Sequence, residues 1–185
     1  IAYTATAGTL TLRDDEGKPI ASMFYAAYVA DRAKGEGERP VTFFYNGGPG
    51  SASMWLHMGS FAPKHVRMAD EGFQPAPPFR LQDNDNSLIE TTDMVFVDAI
   101  STGFSRTAPG VSPAPFHGQD GDIRAFGEFI NGWLGQFNRW SSPTVFAGRM
   151  IAPALSAGTS ISFAMSAKRR PSVATKDNLP SLKLK

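Results

Sequence analysis

The 185 residues carry 18 Lys and Arg against 17 Asp and Glu, a net charge of +1, with 42% hydrophobic and 19% charged side chains. That is the profile of one soluble globular domain, and it excludes disorder, collagen and coiled coil. No apolar run approaches the roughly 18 residues that a membrane helix needs, and the absence of cysteine removes disulfides, thiolate metal sites and a cysteine nucleophile while leaving the compartment open.

The first residue is Ile1, which reads as a start inside a longer gene product. Residues 1–6, 10–13 and 21–30 have strand character, and Asp14-Asp15-Glu16-Gly17 is turn chemistry, so an N-terminal antiparallel β ribbon is expected. Val41–Tyr45 and residues 94–97 are apolar without alternation, which suits strands covered on both faces of a sheet sandwiched by helices. Pro-rich loops at 75–78 and 109–115 separate elements. Ile123, Phe126, Phe129, Ile130, Trp133, Leu134 and Phe137 recur at helical spacing behind Asp122, predicting a helix over 123–138 with Asp122 as N-cap. Gly127, Gly132 and Gly135 weaken that helix and are expected to admit a close-lying backbone. Ser142-Pro143 ends it, and residues 144–146 begin another strand, so strand, helix and strand make an α/β unit.

Asn46-Gly47-Gly48-Pro49-Gly50-Ser51-Ala52-Ser53 directly follows the buried strand and precedes a stretch, 54–58, that can start a helix. Glycines let a substrate oxygen approach the backbone closely, and N–H groups at such a turn can converge on developing negative charge, as an oxyanion hole requires. Two other readings exist. One is a tight turn without a ligand, with Asn46 closing it through its own amide; the other is a phosphate loop, against which stands the lack of a Gly-Lys-Ser/Thr ending.

Residues 39–51, Arg-Pro-Val-Thr-Phe-Phe-Tyr-Asn-Gly-Gly-Pro-Gly-Ser, resemble the opening signature of the serine carboxypeptidase family, peptidase family S10. Residues 93–106, ending Gly103-Phe104-Ser105-Arg106, are similar to the family's strand and loop that end in Gly-(Phe/Tyr)-Ser. Residues 122–140, followed by Ser142-Pro143 and a strand, resemble the segment that leads to its nucleophile. The blocks cover roughly residues 1–148 in family order. The resemblance implies an incomplete α/β-hydrolase-like sheet with flanking helices, and peptide hydrolysis by acyl transfer through a Ser-His-Asp triad, with no metal or organic cofactor. It implies that Gly48 gives a backbone N–H to the oxyanion hole and that Asn46 and Gly47 help hold a peptide's C-terminal carboxylate. The family's acidic partner for that carboxylate is replaced here by Ser60, three residues before Pro63. Secreted or periplasmic residence is implied in the same way. Other α/β hydrolases, aminopeptidases or esterases, also place Gly-Gly before the nucleophile but usually put His before those glycines, where this chain has Asn46.

The nucleophile elbow Gly-x-Ser-x-Gly is missing. The chain matches through Thr144-Val145-Phe146-Ala147-Gly148 and then reads Arg149-Met150 where the family has Glu-Ser. Neither 158–162 nor 103–107 completes an elbow. His57, His65 and His117 precede the position, against the order Ser, Asp, His, and are expected to be surface or loop imidazoles. From 147 onward the composition changes too: seven basic groups against one acid give +6, while residues 1–146 stand at −5, and Phe163 is the last aromatic. Residues 149–185 are therefore expected to form a basic, poorly ordered tail, explained by a shifted reading frame near Gly148. A genuine extension binding nucleic acid or an acidic partner is the competing account, but no aromatic interleaving or binding motif accompanies the charge. The expected partners are thus a peptide substrate, no nucleic acid and no membrane. A non-catalytic binding module is the alternative from another class.

Overall fold

The computed structural model describes residues 1–31, 37–46, 50–68, 77–148 and 164–165. Most of the basic tail, residues 69–76, and Gly47 and Gly48 lie outside the described residues.

The N-terminal ribbon is formed by β1 (Tyr3–Arg13) and β2 (Pro19–Ala30), antiparallel from Tyr3 opposite Ala30 to Arg13 opposite Pro19. Its turn is closed by Asp14, whose Oδ1 accepts from the N–H of Glu16 at 3.1 Å and of Lys18 at 2.8 Å. Residues 1–6 and 10–13, expected as separate strands, are one. Gly8 lies opposite Tyr25, and a Cβ there would stand 3.2 Å from the phenol oxygen, so the glycine accommodates a ring instead of turning the chain.

After the ribbon come β3 (Val41–Tyr45) and a short helix α1 (Met54–Leu56) that widens into a π-turn at His57–Phe61. A small hairpin of β4 (Lys64–Val66) and β5 (Leu81–Asp83) leads to a 3₁₀ turn at Leu88–Glu90 and then β6 (Asp93–Val97). The two-residue β7 (Arg106–Thr107) returns to β2, and a 3₁₀ turn at Ala114–Phe116 introduces α2 (Gln119–Gln136), followed by β8 (Thr144–Gly148). The sheet runs β1-β2-β6-β3-β8, and β3 is parallel to both neighbours. Val41, Phe43, Tyr45, Val95 and Val97 face α2, whose buried side is Ala125, Phe126, Phe129, Trp133 and Leu134. Phe44, Met94 and Phe96 pack on the opposite face with Ala62 and Ile89. The absence of alternation in β3 and β6 thus records burial on both faces. A long helix covers one of them; among the described residues the other is covered by short turns.

The helix starts earlier than expected. Gly118 is its N-cap, and Asp122 is buried in the first turn instead of capping it. The first turn is pressed against the preceding 3₁₀ turn, for a Cβ at Gly121 would come 1.8 Å from the carbonyl oxygen of Pro115. Ile123, expected on the apolar face, is exposed, and the backbone contact expected at Gly127, Gly132 and Gly135 is absent among the described residues. Gly132 instead receives the side chain of Leu10, 3.0 Å from an added Cβ, while no described atom lies near Gly127.

At the N-terminal ends of the parallel strands Asp93 is fully buried between two arginines. Arg39 Nε donates to its Oδ1 at 3.1 Å, and Arg139 Nη1 lies 2.7 Å from Oδ2. Arg39 also donates to the carbonyl oxygens of Ile89 and Glu90, and Arg139 to Ser142 Oγ and to the carbonyl of Arg39. Two residues of the expected structureless tail join the sheet: β9 (Ala164–Met165) pairs antiparallel with Thr144 and Val145. The open backbone edge of β8 accepts any extended segment, whatever its composition.

Candidate functional site

Parallel strands present their C-terminal ends on one side, and in open α/β sheets that side holds the ligand. Here that side is marked by the strand ends Tyr45, Val97 and Gly148. Tyr45 is the register partner of Gly148, so the stretch at 46–53 and the chain after β8 leave adjacent strand ends. A Cβ at Gly148 would stand 2.1 Å from the Tyr45 carbonyl oxygen, so this close approach is open to glycine alone.

Of the residues expected to act, Asn46 stands at the end of β3, and its Nδ2 donates to Ser51 Oγ at 2.6 Å. The amide thereby ties the start of the stretch to Ser51. Gly47 and Gly48 lie outside the described residues. Ser60 is exposed on the π-turn, its hydroxyl reaching the carbonyl of Trp55 at 3.4 Å, and its own carbonyl accepts from Asn84 Nδ2 at 2.7 Å. It bonds along its own chain and brings no charge to the site.

The three imidazoles separate. His65 meets Gln82 on the small hairpin, and His117 lies 3.0 Å from Ser101 Oγ; both contacts are exposed, as expected. His57 differs. It is half-buried, its ring stacks on Phe96 with centroids 4.6 Å apart, and its Nε2 is hydrogen-bonded to Tyr28 Oη at 2.7 Å. Burial lowers its pKa from the ordinary 6.5, and the charge of Asp98 opposes part of that shift. Met54, Met58 and Phe61 recur at helical spacing around His57, a face too short to mark the imidazole as inward by itself.

Asp98 is the residue to which sequence reasoning assigned no role, though it lies inside the second resembling block. It follows β6 and is buried. Its Oδ1 accepts from Ser53 N at 2.9 Å and Ser53 Oγ at 2.8 Å, and its Oδ2 from Phe104 N at 3.0 Å. Ser105 Oγ donates to the Asp98 carbonyl and accepts from Phe24 N, both at 2.8 Å. The Gly-Phe-Ser sequence is thereby a turn wrapped around a carboxylate. No group of three or more acidic or imidazole side chains suited to a metal occurs among the described residues. No helix among them is long and apolar enough to cross a membrane.

Comparison with known proteins agrees with this geometry. Residues 3–150 match the family model described as serine carboxypeptidase. No curated protein sequence matches the chain. Among solved structures, the fold is similar to Kex1Δp, a prohormone-processing carboxypeptidase from Saccharomyces cerevisiae, with a TM-score of 0.61 and 22% sequence identity. The match covers 78% of this chain and 30% of that one, so the chain spans less than a third of the relative's length.

Proposed function

The chain belongs to the serine carboxypeptidase family, and on that premise we propose that its parent protein is a secreted or periplasmic serine-type carboxypeptidase. It cleaves peptides by acyl transfer through a Ser-His-Asp triad, and the present residues form the oxyanion side of its site. In this reading the N–H of Gly48 stabilises the tetrahedral oxyanion, while Asn46 and Gly47 hold the C-terminal carboxylate of the peptide. Ser60 offers that carboxylate a neutral hydroxyl in place of an acid, so discrimination for a free C-terminus is weaker than with a proton-sharing partner.

The observation that carries the reading is the pairing of Tyr45 with Gly148. Attack on a carbonyl needs nucleophile and oxyanion donors within a few ångströms of one atom. The paired strand ends supply that proximity to residues following 45 and following 148. In this reading the sequence after Gly148 lacks the Gly-x-Ser-x-Gly elbow, and oxyanion donors without an activated serine can polarise a carbonyl but form no acyl intermediate.

Two measurements test this. Incubated with a fluorophosphonate probe and blocked dipeptides, the purified 185-residue chain should show neither stoichiometric serine labelling nor hydrolysis. Sequencing the gene across codon 148 should reveal Gly-x-Ser-x-Gly in one frame; its absence from all three frames overturns the carboxypeptidase reading in favour of a binding module.

A further inference from the structure

We propose that Asp98 is a positioning residue, a buried carboxylate that locks the far end of residues 46–53 to the turn after β6, so that the two loops at the strand ends are held as one unit. The catalytic meaning of this lock rests on the reading of 46–53 as the oxyanion stretch; the lock itself does not.

The two ends of the glycine stretch are both tied. At its start Asn46 Nδ2 donates to Ser51 Oγ. At its end Ser53, the N-cap of α1, gives both its N–H and its hydroxyl to Asp98 Oδ1. The origin of the carboxylate is fixed as well, because Asp98 N donates to Phe24 O at 3.0 Å and Ser105 Oγ bridges Asp98 O to Phe24 N. Displacement of Ser53 therefore has to stretch bonds anchored in β2.

The geometry calls for an acceptor at both oxygens. Oδ1 and Oδ2 both face donors, and a carboxylate is acceptor-only, whereas an amide of the same shape would direct an N–H₂ at one of them. The two ends of β6 show the contrast. Asp93 has two arginines to offset its burial, and Asp98, 4% exposed, has no ion pair among the described residues. Burying an ion on hydrogen bonds alone is costly, and a hydrophobic residue would serve stability better. The facing turn is built to admit the charge. Gly103 has φ +47°, and a Cβ there would stand 1.8 Å from Oδ2; Ser101, two residues earlier, is held at φ 69°, a conformation that L side chains rarely adopt. A carboxylate with no ion pair among the described residues, met by a strained turn, places local cost where two loops must keep a fixed relation.

Amide hydrogen exchange and amide-proton shifts of the ¹⁵N-labelled 185-residue chain read the lock without reference to catalysis. Asp98→Asn keeps an acceptor for Ser53 and confronts Phe104 N–H with a donor. Phe104 should lose about tenfold or more of its protection, and its amide proton should move upfield, while Ser53 keeps both values. Asp98→Ala should release both amides. In each variant Phe43 and Val95, inside β3 and β6, should stay within about threefold of the original protection. The proposal is overturned if Ser53 and Phe104 stay protected in Asp98→Ala, or if loop and strand amides lose protection by the same factor, the mark of global destabilisation. Should Asp98→Ala not fold, Ser53→Ala, which removes only the hydroxyl bond, and Asp98→Asn decide the matter by the same comparison. An absent Gly-x-Ser-x-Gly would sink the enzyme reading and leave these amide results standing, so the two failures are distinguishable.

Discussion

His57 lies against Phe96 with its Nε2 on Tyr28 Oη, and its burial disfavours the imidazolium more than the Asp98 charge favours it. The folded-state pKa is therefore below 6.5, and the unfolded chain takes up this proton first as the pH falls. The stabilising contribution is complete above 6.5 and is lost as the pH drops through the lowered folded value. Thermal midpoints of the original chain and of His57→Gln, measured at about pH 7.5 and about pH 5, should show the larger acid loss in the original chain. Equal losses would mean that the imidazole is not protonated differently in the two states. Residues of this kind are poorly legible in sequence. Asn46 and the glycines announce themselves by sitting together, whereas the inward turn of His57 and the bonds that tie Asp98 to Ser53 come from partners 29 and 45 positions away. Asp98 was visible as part of a block and not as an acceptor, because its role exists only once Ser53 and Phe104 converge on it.

The helix α2 and the strands it covers were legible for the opposite reason, since periodicity is local. Phe126, Phe129, Trp133 and Leu134 fall on one face because 3.6 residues make a turn, and they are the residues buried. Its beginning was misread because Asp122 has the chemistry of a cap, whereas Gly118, which caps the helix without a side chain, carries no such mark in the sequence. The clamp at the other end of the strands was not legible at all: Arg39 and Arg139 are 100 residues apart and come together only in the fold, through Asp93 and through the bond from Arg139 to the Arg39 carbonyl. Two substitutions separate these contributions. Phe129→Ala removes a ring that is fully buried and touches those of Tyr25 and Phe43, and should cost about 3–5 kcal/mol. Asp93→Ala leaves two cations facing each other in the interior and should cost a similar 3–5 kcal/mol or so, since breaking a buried pair strands the partner charge. Urea unfolding of both variants checks the values. A loss under about 1 kcal/mol for Asp93→Ala would show that water reaches the arginines and the clamp is peripheral.

Across the whole molecule, the described sheet belongs to a chain that spans 30% of its structural relative's length. The antiparallel ribbon and the parallel strands were foreseen from turn residues and apolar runs, but their order in the sheet was not, because register between distant strands leaves no local trace. That order determines where the chain is vulnerable. β8 is the outer parallel strand, and β9 pairs with only Thr144 and Val145, so on that side residues 146–148 have no ladder partner among those described. Val145 is 38% exposed, and Trp55 in α1 and Phe104 in the turn after β6 stand out at 60% and 72% exposure. An unpaired edge beside apolar surface invites pairing with a second copy. The chain should therefore self-associate as its concentration rises through the micromolar range. Val145→Lys puts a charge on the exposed side chain beside the unpaired residues 146–148, and it should shift light-scattering mass toward the monomer while leaving the circular dichroism spectrum unchanged. If the original chain stays monomeric throughout, the β8 edge is adequately covered. If Val145→Lys associates as readily, the association runs through the exposed aromatic side chains and not through the sheet, and Trp55→Ser then becomes the variant that should abolish it.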